Sequence, residues 1–369
     1  LIQLKKHTVI LFGILSLANY AQAQIALNTN KSVVDLSEYS VSLSDDETVL
    51  AVGTYQANYN STKSGSVRIY KKDTGIWNQI GNDINGEAIG DWSGYSVSLS
   101  GNGTTVAIGA KRNNGRNGKN SGHVRVYKSN AGVWQQVGGD IDGEMQGDWS
   151  GYSVSLSQDG TTLAIGAVLN NGNGRHSGHV RVYRNISGKW SQVGKDINGK
   201  AAQDYFGASV SLSSDGQMVA IGAHQGGISS GYVSVYQNLS GLWEQVGKDI
   251  VGLPTGNFSG WNISLSNNGA AIAIASYNTS KEKRYGCVRT YHNKSNNWVQ
   301  QGADIDDKIA GYNLSGFNNM SLSNDNTITL IGAFEKEGNR NKQVPVLSYV
   351  RVYKFEKSSN LWQHTNIQI

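Results

Sequence analysis

The chain of 369 residues carries 32 Lys and Arg against 27 Asp and Glu, for a formal net charge of +5, with 46 Gly, 2 Pro and a single Cys. So mild a charge excludes the electrostatic footprint of a nucleic-acid binder, and one cysteine excludes a disulfide within the chain. Turns must rest on Gly, Asn and Asp rather than on Pro.

The N-terminus reads as a targeting segment. Lys5 and Lys6 form a basic region, Val9 to Ala18 a short apolar core, and Ala21-Gln22-Ala23 a cleavage pattern. The apolar run is too short to span a bilayer comfortably, so no stable membrane insertion is expected. Residues 1–23 are expected to be a cleaved signal peptide, which makes the protein secreted or cell-surface. The chain from Gln24 onward then has a net charge of +3, from 30 basic and 27 acidic residues. Residues 24–36 are expected to be a leader or a closing strand, and residues 37–369 a single repeat domain.

From residue 37 onward the sequence repeats itself. Ser93 to Ala110 reads SGYSVSLSGNGTTVAIGA, and Ser150 to Ala167 reads SGYSVSLSQDGTTLAIGA. The Leu of this phrase recurs at Leu43, Leu99, Leu156, Leu212, Leu265 and Leu322, at steps of 56, 57, 56, 53 and 57 residues. Tyr70, Tyr127, Tyr183, Tyr236, Tyr291 and Tyr353 follow, most of them within a V-R-V-Y phrase. A Trp comes after each: Trp77, Trp134, Trp190, Trp243, Trp298 and Trp362. Fixed-period self-similarity dictates the architecture.

Each unit holds four strand-like runs. In the second, Tyr95, Val97 and Leu99 alternate with Ser96, Ser98 and Ser100, the period of a strand. Gly101-Asn102-Gly103 supplies a tight turn. Thr105 to Ala110 is a second strand, small or apolar nearly throughout. A Gly/Asn loop from Lys111 to Gly122 leads to a third strand at His123–Tyr127, and Val133–Val137 is the fourth. Four antiparallel strands per unit, repeated six times, predict an all-β six-bladed β-propeller. Seven blades, one of them partial, is the alternative. One blade-to-blade interface is then reused around a ring. Truncating one of its buried Trp residues to Ala should cost about 3–5 kcal/mol.

Asp204-Tyr205-Phe206-Gly207-Ala208-Ser209-Val210 and Ala220-Ile221-Gly222-Ala223 resemble the FG-GAP repeat. This is the blade unit of integrin α-subunit propellers and of many secreted bacterial proteins. Phe-Gly is literal only at Phe206-Gly207; Ser-Gly replaces it at Ser93-Gly94, Ser150-Gly151, Ser259-Gly260 and Ser315-Gly316. The resemblance spans roughly residues 36–365 and implies the fold more than a function. Many members carry a calcium loop, D-x-[DN]-x-D-G-x-x-D. The corresponding positions here read Ser155, Ser157, Asp159 and Leu163, with one carboxylate where calcium wants six to eight oxygens. No calcium and no other cofactor is therefore expected, and Asp159 and Asp215 are expected to form turns. The same S-x-D-G-T-T turn resembles the Asp box of sialidase propellers, but no arginine cluster with a tyrosine nucleophile can be assembled by spacing.

If the first strand of each unit is innermost, the loops between second and third strands and those between units share one face. These are the long, varied loops, as functional loops tend to be. The inter-unit loops end in Trp92, Trp149, Tyr205 and Phe258 at one repeat position. The second-to-third loops contribute Arg112, Arg116, Asn171 and Arg175. Aromatic faces beside Asn and Arg suit a protein or glycan ligand, although blade packing and plain solvation explain the same residues. His123 and His179 occupy one repeat position in adjacent units, without a cysteine or third histidine, so no metal set is expected. Asp140, Asp142, Asp304, Asp306 and Asp307 fall in a repeated D-I-x-G phrase that reads as a structural turn. Cys287 reads as a small apolar residue of a third strand.

The sequence thus points to an exported binding or scaffold module, acting in adhesion or recognition. The alternatives are a propeller-based glycan-active enzyme and a purely structural surface protein. The enzyme reading requires an acidic or basic cluster near the axis that breaks the repeat.

Overall fold

The computed structural model describes residues 39–57, 63–224, 230–252, 257–278, 285–306, 320–323, 327–335 and 347–365. The proposed signal peptide and leader, and the sixth-unit loop 336–346, lie outside the described residues.

The described strands form six antiparallel sheets in chain order, five with five strands and the last with four. Each repeat unit makes one sheet. In the second, Ser93–Leu99 pairs with Thr105–Ala110, which pairs with His123–Asn130, and the end of that strand pairs with Val133–Gln136. The fifth strand is Ile141–Asp142, which pairs with the start of the third strand at Val124 and His123. The D-I-x-G phrase is therefore more than a turn. Its Ile resumes the outer edge after a break, and Ile84, Ile141, Ile197, Ile250 and Ile305 are all buried. A two-residue strand is too short to show a period, which is why the sequence reads as four strands.

Consecutive sheets pack face to face from the first to the sixth. Each interface holds one apolar core. Between the second and third sheets it joins Val124, Val126 and Ile141 to Leu163, Ile165 and Tyr183, with Trp190 against it. The indole N–H of Trp190 donates to the carbonyl of Val137 in the preceding sheet at 3.0 Å. Trp243, Trp298 and Trp362 make the same reach to Val193, Val246 and Gln301, each at 2.9 Å. The repeated Trp thus ties each of the third to sixth sheets to the one before, whereas Trp134 of the second sheet packs on the core it shares with the first without an indole hydrogen bond.

The first strands are innermost: those of five sheets line one cavity of about 310 Å³. The serines that alternate along them bond sideways rather than to solvent. Ser98 Oγ accepts from Leu156 N at 2.9 Å, and Ser155 Oγ from Leu212 N at 3.0 Å. Ser96 Oγ donates to the carbonyl of Gly151 at 2.9 Å, and Ser153 Oγ to that of Gly207 at 2.7 Å. The first strand carries a bulge between Ser93 and Ser96, with Gly94 at φ +80°. This left-handed residue lets the chain press against the Gly of the neighbouring Gly-Ala pair. A Cβ on Gly109 would collide with the carbonyl of Gly151, and one on Gly166 with that of Gly207. The Phe/Ser-Gly and Gly-Ala phrases are the two halves of one close backbone contact.

At the opposite end, the first-to-second turns are chained by backbone bonds from Asp45 N to Gly101 O at 2.8 Å, Gly101 N to Gln158 O at 2.8 Å and Gln158 N to Ser214 O at 3.0 Å. Asp159 forms its own turn, accepting from Ser157 Oγ at 2.6 Å and from Thr161 N at 2.9 Å.

Candidate functional site

The second-to-third loops and the inter-unit loops meet at the other end of the cavity, as the parity of the strands requires. Here Trp92, Tyr95, Trp149 and Tyr152 surround one side chain, Lys111. Its Nζ lies 3.2 Å from the Tyr95 ring centre, 4.6 Å from Tyr152, 4.8 Å from Trp149 and 5.2 Å from Trp92. The Arg112 guanidinium covers the Trp92 ring at 3.6 Å and lies 5.8 Å from Trp149. Tyr55 extends the cluster, 5.1 Å from Trp92 and 5.3 Å from Tyr95. Further round, Tyr205, His224 and Trp261 lie in a row, with centres 5.4 and 5.0 Å apart, and His224 stacks on Trp261.

The backbone of this cluster is unusual. Trp92, Trp149 and Tyr205 have φ of +59°, +58° and +53°. A bulky aromatic residue in the left-handed region is an outlier, costing about 1–3 kcal/mol, and such residues concentrate at functional sites. Gly or Asn would fill these positions without strain.

Lys111 is 4% exposed. Burial, and then the charge of Arg112, push its amine down to about 7, while the surrounding π faces favour the cation. Burial, and then Tyr152, raise the Tyr95 phenol. Lys111 also breaks the repeat, since Tyr55, Val168 and His224 stand at its position in other units. It lay within a basic loop in the sequence, and only the fold sets it apart from its neighbours.

The predicted residues separate into two groups. Trp92, Trp149 and Arg112 come together around Lys111. Tyr205 lies in the adjoining row with His224. The side chain of Phe258 lies outside the described residues. Arg116, Asn171 and Arg175 are exposed on the outer parts of their loops, and none joins the ring contacts above. Asn171 Oδ1 instead accepts from His176 N within its own loop at 2.7 Å.

A second feature of this face escaped the sequence. His123 faces Glu87 and Asp140, and His179 faces Glu144 and Asp196, in two groups whose donor atoms all lie within 4.8 Å of one another. Counting histidines and cysteines alone could not find them, because each Glu comes from the preceding unit. Burial, and then Arg125, hold His123 down to about 4, and burial, then Arg181, do the same for His179.

Among the described residues no helix is long and apolar enough to cross a membrane. No curated protein matches the chain by sequence. Solved structures do share its fold. A periplasmic gluconolactonase of Pseudomonas aeruginosa superposes with a TM-score of 0.56 at 16% identity, covering 89% of this chain and 84% of that one. A Bacteroides uniformis protein assigned as a 6-phosphogluconolactonase gives 0.57 at 13% identity, covering 91% and 86%. Hydrazine synthase of Kuenenia stuttgartiensis gives 0.57 at 12% identity, covering 92% and 98%. At such identities the likeness concerns the fold alone. The FG-GAP repeat pattern matches residues 85–127 and 142–183, which include the Gly109–Gly151 contact and the bonds of Ser96 and Ser98 described above. The chain accordingly carries FG-GAP repeats, set in an all-β propeller of antiparallel sheets.

Proposed function

We propose that the protein is an exported six-bladed propeller, closed by packing of the sixth sheet on the first, that recognises an acidic glycan at its aromatic pole. One observation carries this reading: two tryptophans, Trp92 and Trp149, are held at positive φ beside an off-repeat Lys111–Arg112 pair. Aromatic faces take up the apolar faces of sugar rings, and the half-buried Arg112, with the buried Lys111 charge behind it, takes a carboxylate. The half-buried rings leave room for a ligand at the mouth of the cavity. Export rests on the sequence of residues 1–23.

The test is a glycan array and a cell-surface binding assay on residues 24–369, with Trp92→Asn and Trp149→Asn beside the native chain. Asn accepts the left-handed backbone, so the fold should survive while affinity for uronate- or sialate-bearing glycans falls at least about tenfold. Binding only to acidic protein surfaces would move the ligand class from sugar to protein. Undiminished binding by both variants would place the ligand elsewhere.

A second reading has a specific observation in its favour. Lys111 is a basic group near the cavity axis that breaks the repeat, and its amine is poised near neutral pH, where a general base works best. On that reading the bound glycan is turned over, and Lys111→Met abolishes product formation even at glycan concentrations that saturate the variant.

A further inference from the structure

The D-I-x-G aspartate of five sheets provides an internal comparison. In three of them a protein cation holds its Oδ2. Arg68 Nε sits 2.9 Å from Asp83, Lys200 Nζ 2.6 Å from Asp249, and Arg289 Nη2 2.7 Å from Asp304. In the second and third sheets no side-chain cation among the described residues lies so close. Asp140 Oδ2 faces His123 Nδ1 at 3.8 Å, and so does Glu87 Oε2 at 3.8 Å. Asp196 Oδ2 and Glu144 Oε2 each face His179 Nδ1 at 3.7 Å.

The arginines that could have filled these positions are directed elsewhere. Arg125 Nη2 donates to Asn85 O and Arg181 Nη2 to Asp142 O, each at 2.7 Å. Their Nη1 atoms approach the far oxygens, Glu87 Oε1 at 3.5 Å and Glu144 Oε1 at 3.8 Å. The far oxygen of each Asp is also held: Gln136 Nε2 donates to Asp140 Oδ1 at 2.8 Å, and Gln192 Nε2 to Asp196 Oδ1 at 2.7 Å. Each carboxylate is thus oriented by one oxygen and presents the other to the imidazole. His179 is 1% exposed, and its Nδ1 has no hydrogen-bond partner. Two carboxylate oxygens and a ring nitrogen converging in this way repel one another unless a proton or a metal cation lies among them.

We propose that Glu87, His123 and Asp140, and again Glu144, His179 and Asp196, are two divalent transition-metal sites of zinc type. One nitrogen and two oxygens form a borderline donor set that suits zinc rather than calcium. Zinc bonds of 2.0–2.2 Å at the tetrahedral angle place ligand atoms about 3.4 Å apart, so the His-to-carboxylate spacings of 3.7–3.8 Å need to close by only a few tenths of an ångström. Each Glu belongs to one sheet and the His and Asp to the next, so the ion cross-links neighbouring sheets. The fixed far oxygens are the orienting outer shell such sites require. At the next repeat position Lys200 and Tyr232 replace the Glu and His, and the lysine ammonium takes the place of the ion.

The test is a calorimetric titration of chelator-treated, tag-free protein with zinc chloride, with the melting temperature read in parallel. The native chain should take up two equivalents and melt higher with zinc. Glu144→Lys with His179→Tyr copies the chain's own third-site solution, so it should fold and take up one equivalent. Adding Glu87→Lys and His123→Tyr should leave none. Glu144→Gln with Glu87→Gln is a milder pair, expected to weaken binding about 10–100-fold. The proposal is overturned if native protein shows no saturable zinc uptake, or if stoichiometry and affinity are unchanged in these variants.

Discussion

Gly166→Ala should destabilise the protein by about 3 kcal/mol or more, at the upper end of the cost of overpacking. The new methyl has nowhere to go. It would meet the Gly207 carbonyl and Ser153 Oγ, and the nearer of these is backbone of the adjacent sheet. Ser153 also donates to that carbonyl at 2.7 Å, so a displacement breaks a sheet-to-sheet hydrogen bond. Gly188→Ala separates this effect from simple loss of glycine. Gly188 has φ +85° but open space where the Cβ would lie, so only the backbone strain of about 1–2 kcal/mol is expected. Thermal or urea denaturation of the two variants measures the difference. Equal losses would mean that the Gly-Gly contact adds nothing specific.

Ligand binding at the aromatic pole should weaken as pH rises through about 7. The Lys111 amine titrates near that value, and an anionic ligand prefers its charged form. Apparent affinity should fall by up to about tenfold per pH unit above 7, until the pKa of the complex is reached. Arg112 stays charged and leaves a residual, pH-independent attraction. Stability should move the other way. Folding lowers the amine from its ordinary 10.5 to about 7. Between those values the unfolded chain binds more protons, so folding stability rises with pH across the window. Lys111→Met should remove both trends. Paired binding and denaturation curves at several pH values check this, and a flat binding profile would remove Lys111 from the site.

Much of this architecture is legible in the sequence because its determinants are local and repeated. Ser-Val-Ser-Leu alternation and a Gly-Asn-Gly turn state a hairpin. The recurrence of Leu, Tyr and Trp states how many such units the chain holds. Other features carry no local signal. The serines mark only the period of a strand in the sequence, yet they bond the adjacent sheet. Ile141 reads as part of a turn, yet it is a buried strand residue. The serines' partners lie about one repeat away in sequence, and Ile141 pairs with Val124 across a break in its own unit, so no local periodicity reports either.

The functional face divides along the same line. Trp92, Trp149 and Arg112 could be singled out because they recur at, or lie beside, marked repeat positions. Lys111 could not be told from Lys119 or Arg116 until the fold drew four aromatic rings around it. Glu87 and His123 stand in different units, and only packing of one sheet on the next sets them 3.8 Å apart. The sequence by itself determined the repeat, the strands and the turns, because backbone preference and side-chain alternation act over a few residues. Tertiary structure decided which side chains share a site, because contact between sheets depends on distances that the order of residues does not encode.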